Sequence, residues 1–580
     1  MNTSHPSFDP VETASAEPRN RIRQAFDLIL AFAIPVSGVL ILCRLFSPHW
    51  QTNDDVAMSM IAHGYGNVGA GSPTLGFSNL LWGYFVRSLP SVGGLLGYSV
   101  ATFASLIAAG IAILYGARLS TRSWLVSIAL LCGVLVLPVL FPQFTVNAGL
   151  LMIAALVCWR TYDQRGTWPW LLCGCILAFA SALVRNQEAL LVFAIGCPLL
   201  PWARLLRDRA ARFAGVALVL AIGLATFANR QAYRGPEWQA FNALNPLRLR
   251  ITDYGADVVL RRSPQLLQKY GFSDNDINLL RAWFFVDPKI ADPQRLKPML
   301  AQIPPRYASE HRWQRGLKGV LVLGHPALLP LLLGGLLLAL LYPDRRVLAT
   351  WLLCIAAVFA LAVVFRPGVL RVYVPLASLL FLAPFICSAA TRGPPRWRWR
   401  VAQGIVVGAA IYSMAHTFAA SRRIEALDTR LRHDMQDLPH EPFVVWGGAI
   451  SFQSLYPPLQ RADAIHAYRP EVFGVFTLAP FSRSSMEQAN GNGFVRRLQS
   501  PEGVLIIAKP LPLRYLKIYC RERLGGESSV EDQPGRLLLL KRFRCVAPRD
   551  SASTGSHVSP TDSESSSPAV EAESHGASVR

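Results

Sequence analysis

Thr52-Asn53-Asp54-Asp55-Val56-Ala57-Met58-Ser59-Met60-Ile61-Ala62-His63-Gly64 sets two carboxylates before a short apolar stretch, a few residues after an apolar run near 27–46. Crossing a hydrocarbon core of about 30 Å takes about 20 such residues, so that run reads as a membrane span. Its flank gives its direction. Arg19, Arg21 and Arg23 precede it, and basic residues near a span stay on the cytoplasmic side. Residues 52–64 then emerge on the outer side. The run reads as a retained anchor, because Cys43-Arg-Leu-Phe-Ser-Pro offers no small-residue cleavage site.

Working outward, further apolar runs lie near 95–117, 123–141, 142–159, 168–184, 188–203, 213–229, 317–341, 347–365, 373–390 and 401–419, about eleven spans in all. Alternation places Arg118 and Arg122, Arg160 and Arg165, Arg204, Arg207, Arg209 and Arg212, Arg345 and Arg346, and Arg392, Arg396, Arg398 and Arg400 on the inner side together. The expected fold is a mainly α polytopic membrane protein with interfacial helices in the first outer loop and a small C-terminal periplasmic α/β or α+β domain. Residues 1–24 form a cytoplasmic tail. Residues 25–420 form the transmembrane domain, with outer loops at about 47–94 and 230–316. Residues 421–548 form the periplasmic domain, where Phe443-Val-Val-Trp446 and Val504-Leu-Ile-Ile-Ala508 read as strands. The Ser-, Glu- and Pro-rich stretch 549–580 reads as disordered.

Composition excludes a water-soluble alternative. A soluble chain of 580 residues would form about four domains. Charged residues are only 16% of this one, against about 25% in soluble proteins, and mean hydropathy is +0.31. The formal charge of +21 does not indicate a nucleic-acid partner, since the basic residues cluster between apolar runs. Of ten cysteines, eight lie in or beside those runs as small hydrophobes. Cys173-x-Cys175 lacks the second ligand pair that zinc takes, so no metal site is read. Cys520 and Cys545 lie in a polar segment and are expected to pair in an oxidising periplasm.

The candidate chemistry sits in the first outer loop. Val56, Met60 and Ile61 recur at helical spacing, so a short helix is expected on the membrane surface, capped by Asn53 or Asp54. Two adjacent carboxylates point in different directions, leaving one to hydrogen-bond and one to face a cavity. Gly76-Phe-Ser-Asn79-Leu-Leu-Trp82-Gly-Tyr84 reads as a second interfacial helix, with Trp82 and Tyr84 at headgroup depth. Asn53, His63, Asn79 and Trp82 are the expected cavity lining. Arg185 and Glu188, charged groups between two apolar runs, are expected to join it. Phe365-Arg366-Pro-Gly-Val-Leu-Arg371-Val-Tyr373-Val-Pro375 is a short outer turn with two guanidiniums beside an aromatic, donors suited to phosphate oxygens. Trp283-Phe-Phe-Val-Asp287 reads as a packed loop element.

These residues resemble the GT-C class of integral-membrane glycosyltransferases, which take sugars from polyprenyl phosphates; protein O-mannosyltransferases and arabinofuranosyltransferases belong to it. Asn53-Asp54-Asp55 looks like the acidic first-loop motif of that class. Gly76-Phe-Ser-Asn-Leu-Leu-Trp82 is similar to the following G-[YF]-[ST]-x-x-L-W segment, and Arg371-Val-Tyr373-Val-Pro375 to a late R-Y-x-x-P run with one residue added. Arg185-Asn-Gln-Glu188 resembles an R-P-E-G turn without its Pro and Gly. The resemblance spans residues 25–420 in topology. It implies a polyprenyl-phosphate sugar donor, a glycan, lipid or protein acceptor, and a bacterial inner-membrane enzyme with its N-terminus cytoplasmic and C-terminus periplasmic. It implies a first-loop aspartate as general base, Asp54 or Asp55 with Asp54 favoured and the other in support, donor phosphate held by Arg371, Arg366 and Tyr373, and inversion at the sugar. No cofactor is implied, although some members use a divalent cation. Two other classes fit the same sequence: a non-catalytic transporter or flippase of polyprenyl-linked glycans, and a structural subunit of a cell-envelope glycan assembly.

Overall fold

The computed structural model describes residues 10–304, 311–387, 395–438, 441–464, 468–534 and 539–547. The tail 549–580, residues 1–9, Arg392 and the side chains of Arg19, Arg21 and Arg23 lie outside the described residues. The chain opens with α1 (Pro10–Leu45), then α2 (Asn53–His63) and α3 (Leu80–Ser88) in the first loop. Next come α4 (Gly97–Thr121), α5 (Trp124–Leu140), α6 (Phe144–Arg165), α7 (Trp168–Gly196), α8 (Trp202–Arg207) and α9 (Arg209–Ala232). The following segment holds α10 (Gln239–Thr252), α11 (Ala256–Arg261), α12 (Pro264–Lys269), α13 (Asp274–Arg281) and α14 (Pro293–Ala301). A second bundle section follows with α15 (Arg312–Leu321), α16 (Leu329–Leu341), α17 (Arg345–Val364), α18 (Leu370–Cys387) and α19 (Arg396–Asp434).

Among the described residues, eight helices are long and apolar enough to cross a membrane, or nine if the pair α15–α16, bent by 91°, counts as one span. The difference from eleven sequence runs has two sources. The apolar helix α5 is only 17 residues long, and the runs 168–184 and 188–203 form one helical segment, α7, broken at Arg185 (φ −159°, ψ 100°). At that break the chain doubles back. Gly174 lies against the indole of Trp159, whose ring is also 6.4 Å from Phe193. In one straight helix positions 174 and 193 would stand about 28 Å apart. Exposure separates the faces: on α9, Phe213, Val216, Leu220, Leu224 and Phe227 are exposed at helical spacing, a stripe suited to lipid, while Ala211 and Ala225 are buried. Almost all of α6, by contrast, is buried, at the centre of a multi-pass membrane protein.

At one end of the bundle the chain builds a single polar-side unit. β1 (Phe443–Trp446), β2 (Pro470–Val472), β3 (Val504–Ala508), β4 (Glu527–Asp532) and β5 (Leu540–Val546) form a mixed sheet in the order β2-β1-β3-β5-β4, with β1 parallel to β2 and β3 and β5 antiparallel to β3 and β4. The segment 230–316 is more than a loop. Its helices α10–α14 share one apolar core with the sheet, centred on Phe284, whose ring lies 5.2–5.8 Å from those of Trp446, Phe473, Phe494 and Tyr519. Asp287 accepts the Tyr519 hydroxyl at 2.8 Å, and Cys520 is disulfide-bonded to Cys545. The combined unit docks on the first loop. Val472 N–H donates to Asn67 Oδ1 at 2.9 Å, Arg483 Nε to the Gly66 carbonyl at 2.7 Å, and Gly69 N–H to the Phe481 carbonyl at 3.0 Å.

Candidate active site

The two aspartates of α2 separate by function as soon as the helix forms. Thr52, in extended conformation, is the N-cap, so neither Asn53 nor Asp54 caps the helix; Asn53 is exposed. Nor does α2 lie on a membrane surface: Asp55, Val56, Met58, Ser59, Met60, Ile61 and Ala62 are all buried within the protein, below the docked sheet unit. Asp55 is fully buried and held by three donors: the Thr52 hydroxyl at 3.0 Å, the Tyr98 hydroxyl at 3.1 Å and the Phe144 N–H at 2.9 Å. It thereby ties the first loop to the starts of α4 and α6. Burial pushes its carboxyl up to about 7, against the pull of the Phe144 N–H. Asp54, one residue earlier on the helical wheel, is partly exposed and forms an ion pair with Arg371, 317 positions away in the chain.

Arg371 stands at the N-terminal end of α18. Four residues later Pro375 has no N–H to return to the Arg371 carbonyl, which loosens that turn. Its flanking candidates do not join it. Arg366 pairs with Asp253 of the segment after α10, at 3.0 Å. Tyr373 is buried, donates to the Gly319 carbonyl at 2.9 Å and accepts the Gly368 N–H at 3.2 Å, so it braces the 365–369 turn against α15 instead of facing a phosphate.

Arg185 and Glu188 both lie within electrostatic range of Arg371, because α7 breaks at Arg185. The Arg185 guanidinium lies 4.8 Å from the Phe144 ring centroid, within the electrostatic field of Arg371, Glu188, Asp54 and Asp55. Glu188 is buried and interacts electrostatically with Arg185 and Arg371. The remaining expected lining residues have other duties. His63 Nε2 accepts the Tyr98 N–H at 3.1 Å, and burial with Arg87 nearby lowers its pKa to about 4, so it is a neutral tie between α2 and α4. Asn79 caps α3 and donates to the Ala225 carbonyl at 3.0 Å. Trp82 is buried against Phe85 at 5.2 Å, while Tyr84 is exposed.

The Gly76-Phe-Ser-Asn segment has a role that its sequence does not announce. A helix break frees carbonyls that need donors. At the α7 break, the Leu183 carbonyl accepts the Asn79 N–H and the Val184 carbonyl accepts the Ser78 hydroxyl, each at 2.8 Å. Sequence reading also missed Thr52, Tyr98, Phe144 and Thr145. Their only signal is position, at the ends of apolar runs that converge on the first loop. No group of three or more His, Cys, Asp or Glu side chains able to hold a metal ion exists among the described residues.

No protein-family model matches the sequence, and no curated protein matches it. Two solved structures are similar to it: ArnT from Cupriavidus metallidurans bound to undecaprenyl phosphate, with a TM-score of 0.37, and the same protein in the apo state, with 0.36. Each is 12% identical over 88% of this chain and 97% of that one.

Proposed function

We propose that the chain is an integral-membrane glycosyltransferase that moves a sugar from a polyprenyl-phosphate donor to an acceptor hydroxyl, with inversion, at the outer face of a bacterial inner membrane. The observation that carries this reading is the Asp54–Arg371 pair: a partly exposed carboxylate opposite a guanidinium where the first loop meets the start of α18. The two groups match the two needs of the reaction. The acceptor oxygen attacks the anomeric carbon while its proton passes to the Asp54 carboxylate, a base assistance typically contributing about 10²–10⁴-fold. The bond from anomeric carbon to phosphate oxygen breaks, and the polyprenyl phosphate leaves with the electron pair. Arg371 steadies the developing charge on that phosphate. The substrate displaces the ion pair that the two side chains make without it. Asp55 is a positioning residue, since its oxygens are occupied by three protein donors.

Sidedness has its own support. The Cys520–Cys545 disulfide belongs to the unit docked on residues 66–69, and disulfides persist in oxidising compartments. The same side then holds Asp54, where no nucleotide sugar is available and an activated sugar arrives on a lipid. The test is transfer of radiolabelled sugar from polyprenyl-phosphate donors to envelope glycoconjugates by the full-length protein in nanodiscs. Asp54→Asn is expected to lower transfer at least about 100-fold with its thermal midpoint retained. Arg371→Ala is expected to lower it strongly, whereas Arg366→Ala, which removes a partner of Asp253, stays within about twofold. Full activity in Asp54→Asn refutes the assignment, and donor binding without any cleavage by wild type favours a transporter.

A further inference from the structure

Three helices meet below the Asp54–Arg371 pair in a register that can be followed turn by turn. A Cβ at Gly149 of α6 would stand 2.3 Å from Pro375 Cβ of α18 and 3.5 Å from Val192 Cγ2 of α7. One level further along, a Cβ at Gly196 of α7 would stand 2.4 Å from Leu156 Cδ1 of α6 and 3.6 Å from Leu379 Cδ2 of α18. Residue numbers rise together between the two levels, so α6, the returning arm of α7 and α18 run parallel. One turn in the opposite direction, toward the start of α18, the same faces present Thr145, Glu188 and Arg371, since residues four apart share a helix face.

Thr145 and Glu188 are both more than nine-tenths buried, and among the described residues nothing hydrogen-bonds to Thr145 Oγ1, to Glu188 Oε1 or to Arg371 Nε. A buried polar atom left without a partner costs about 1–3 kcal/mol, so three converging on one level mark a place made for something else to bond to. What that is follows from charge. Arg185 and Arg371 act on Glu188 electrostatically without either reaching its Oε1, and the level itself is buried. Burial makes a charged ligand group costly there, whether cation or anion. A neutral hydroxyl fits, donating to Glu188 and exchanging a hydrogen bond with Thr145.

We propose that Thr145 and Glu188 are the specificity-determining residues of a donor-sugar chamber selecting a neutral sugar, whose ring hydroxyls bond to Oγ1 and Oε1 while its lipid-linked phosphate stays at Arg371. The proposal rests on the glycosyltransferase reading and extends it from the reacting bond to the sugar class. Thr145→Val is the decisive variant, because it is nearly isosteric and removes a hydroxyl that has no hydrogen-bond partner among the described residues.

The experiment is equilibrium binding by full-length protein in nanodiscs of radiolabelled undecaprenyl phosphate, bare or carrying a neutral hexose or pentose, an amino sugar or a uronate. A neutral-sugar lipid is expected to bind wild type about tenfold or more tightly than bare undecaprenyl phosphate. Thr145→Val is expected to lose about three- to tenfold of that increment while holding the bare lipid phosphate within about twofold, and Glu188→Ala to lose nearly all of the increment. Thr145→Val is also expected to leave the thermal midpoint of the ligand-free protein equal or higher, which a structural hydroxyl would not do. An increment unaffected by Thr145→Val, a preference for the uronate or amino sugar, or a lowered midpoint in Thr145→Val overturns the chamber. If wild type binds no undecaprenyl phosphate at all, the glycosyltransferase reading falls with it; if it binds the bare lipid but shows no such increment, only the chamber falls.

Discussion

Replacing Asp55 by Asn tests whether the buried carboxyl at the root of the first loop is a latch that titrates. Asp55 Oδ1 accepts from Tyr98 and Phe144, and Oδ2 from Thr52. Asparagine keeps an acceptor for the first two and turns its NH₂ toward the Thr52 hydroxyl, which can accept. The substitution is therefore expected to cost only about 1 kcal/mol in hydrogen bonding, while deleting the titration. In the wild type, burial raises the carboxyl from 3.8 to about 7. Between those values the folded protein holds a proton that the unfolded chain releases, so unfolding gains stability relative to folding as pH rises. The stabilising contribution is complete below about pH 4 and is lost as pH passes through about 7. A tenfold change in proton affinity is about 1.4 kcal/mol, so the full swing is on the order of 4 kcal/mol.

The assay is the thermal midpoint of wild type and Asp55→Asn in nanodiscs from pH 4 to 8. The difference, wild type minus variant, is expected to fall steadily across that range and to level off above pH 7. Every other titrating group is common to both proteins and cancels in the difference. A difference that is flat, or that grows with pH, refutes the reasoning. It would mean that the three donors outweigh burial and keep the carboxylate ionised throughout.

His63 has the opposite sign. Its pKa is lowered from 6.5 to about 4, so the folded protein declines a proton that the unfolded chain takes up; the stability it contributes is full above pH 6.5 and is lost as pH falls through about 4. His63→Gln, which retains an acceptor for the Tyr98 N–H, is expected to remove that acid-side slope in the same thermal series. Cys520 and Cys545 close a loop across 25 positions, and serine at both is expected to lower the stability of the sheet unit by about 3 kcal/mol, read as faster limited proteolysis of residues 441–547 in the variant.

Legibility differed between the bundle and its site. Apolar runs and basic loops reveal the helices because lipid imposes a length and a composition on each of them. The strands at 443–446 and 504–508 were legible for the same kind of reason, as continuous apolar runs buried on both faces. The segment 230–316 was not, because its helices are short and its apolar residues find their partners in the sheet unit more than 130 positions later, as Phe284 does with Trp446 of β1 and with Tyr519 on the helix Pro510–Leu524. At the site, the adjacency of Asp54 and Asp55 and the turn that carries Arg371 were visible. Which acid turns inward was settled by the Phe144 N–H and the Tyr98 hydroxyl, donors that no local pattern connects to residue 55. Arg366 and Tyr373 show the converse: types suited to phosphate, but committed to Asp253 and to the Gly319 carbonyl.

The break in α7 joins these strands of argument. Arg185-Asn-Gln-Glu188 contains neither Pro nor Gly, so nothing local compels the helix to stop there. Left straight, it would carry Glu188 onward with the first arm, away from α18, and Arg371 would have no buried carboxylate below it. The first loop makes the reversal tolerable: Ser78 and Asn79 satisfy the Val184 and Leu183 carbonyls, and the Phe144 ring receives the Arg185 guanidinium. Asp55 in turn holds Phe144 through its N–H. One loop thus supplies the partly exposed carboxylate, anchors the residue against which the break is formed, and donates the hydrogen bonds that keep the break open. The Asp54–Arg371 pair and the Thr145–Glu188 level therefore depend on the docking of the same loop.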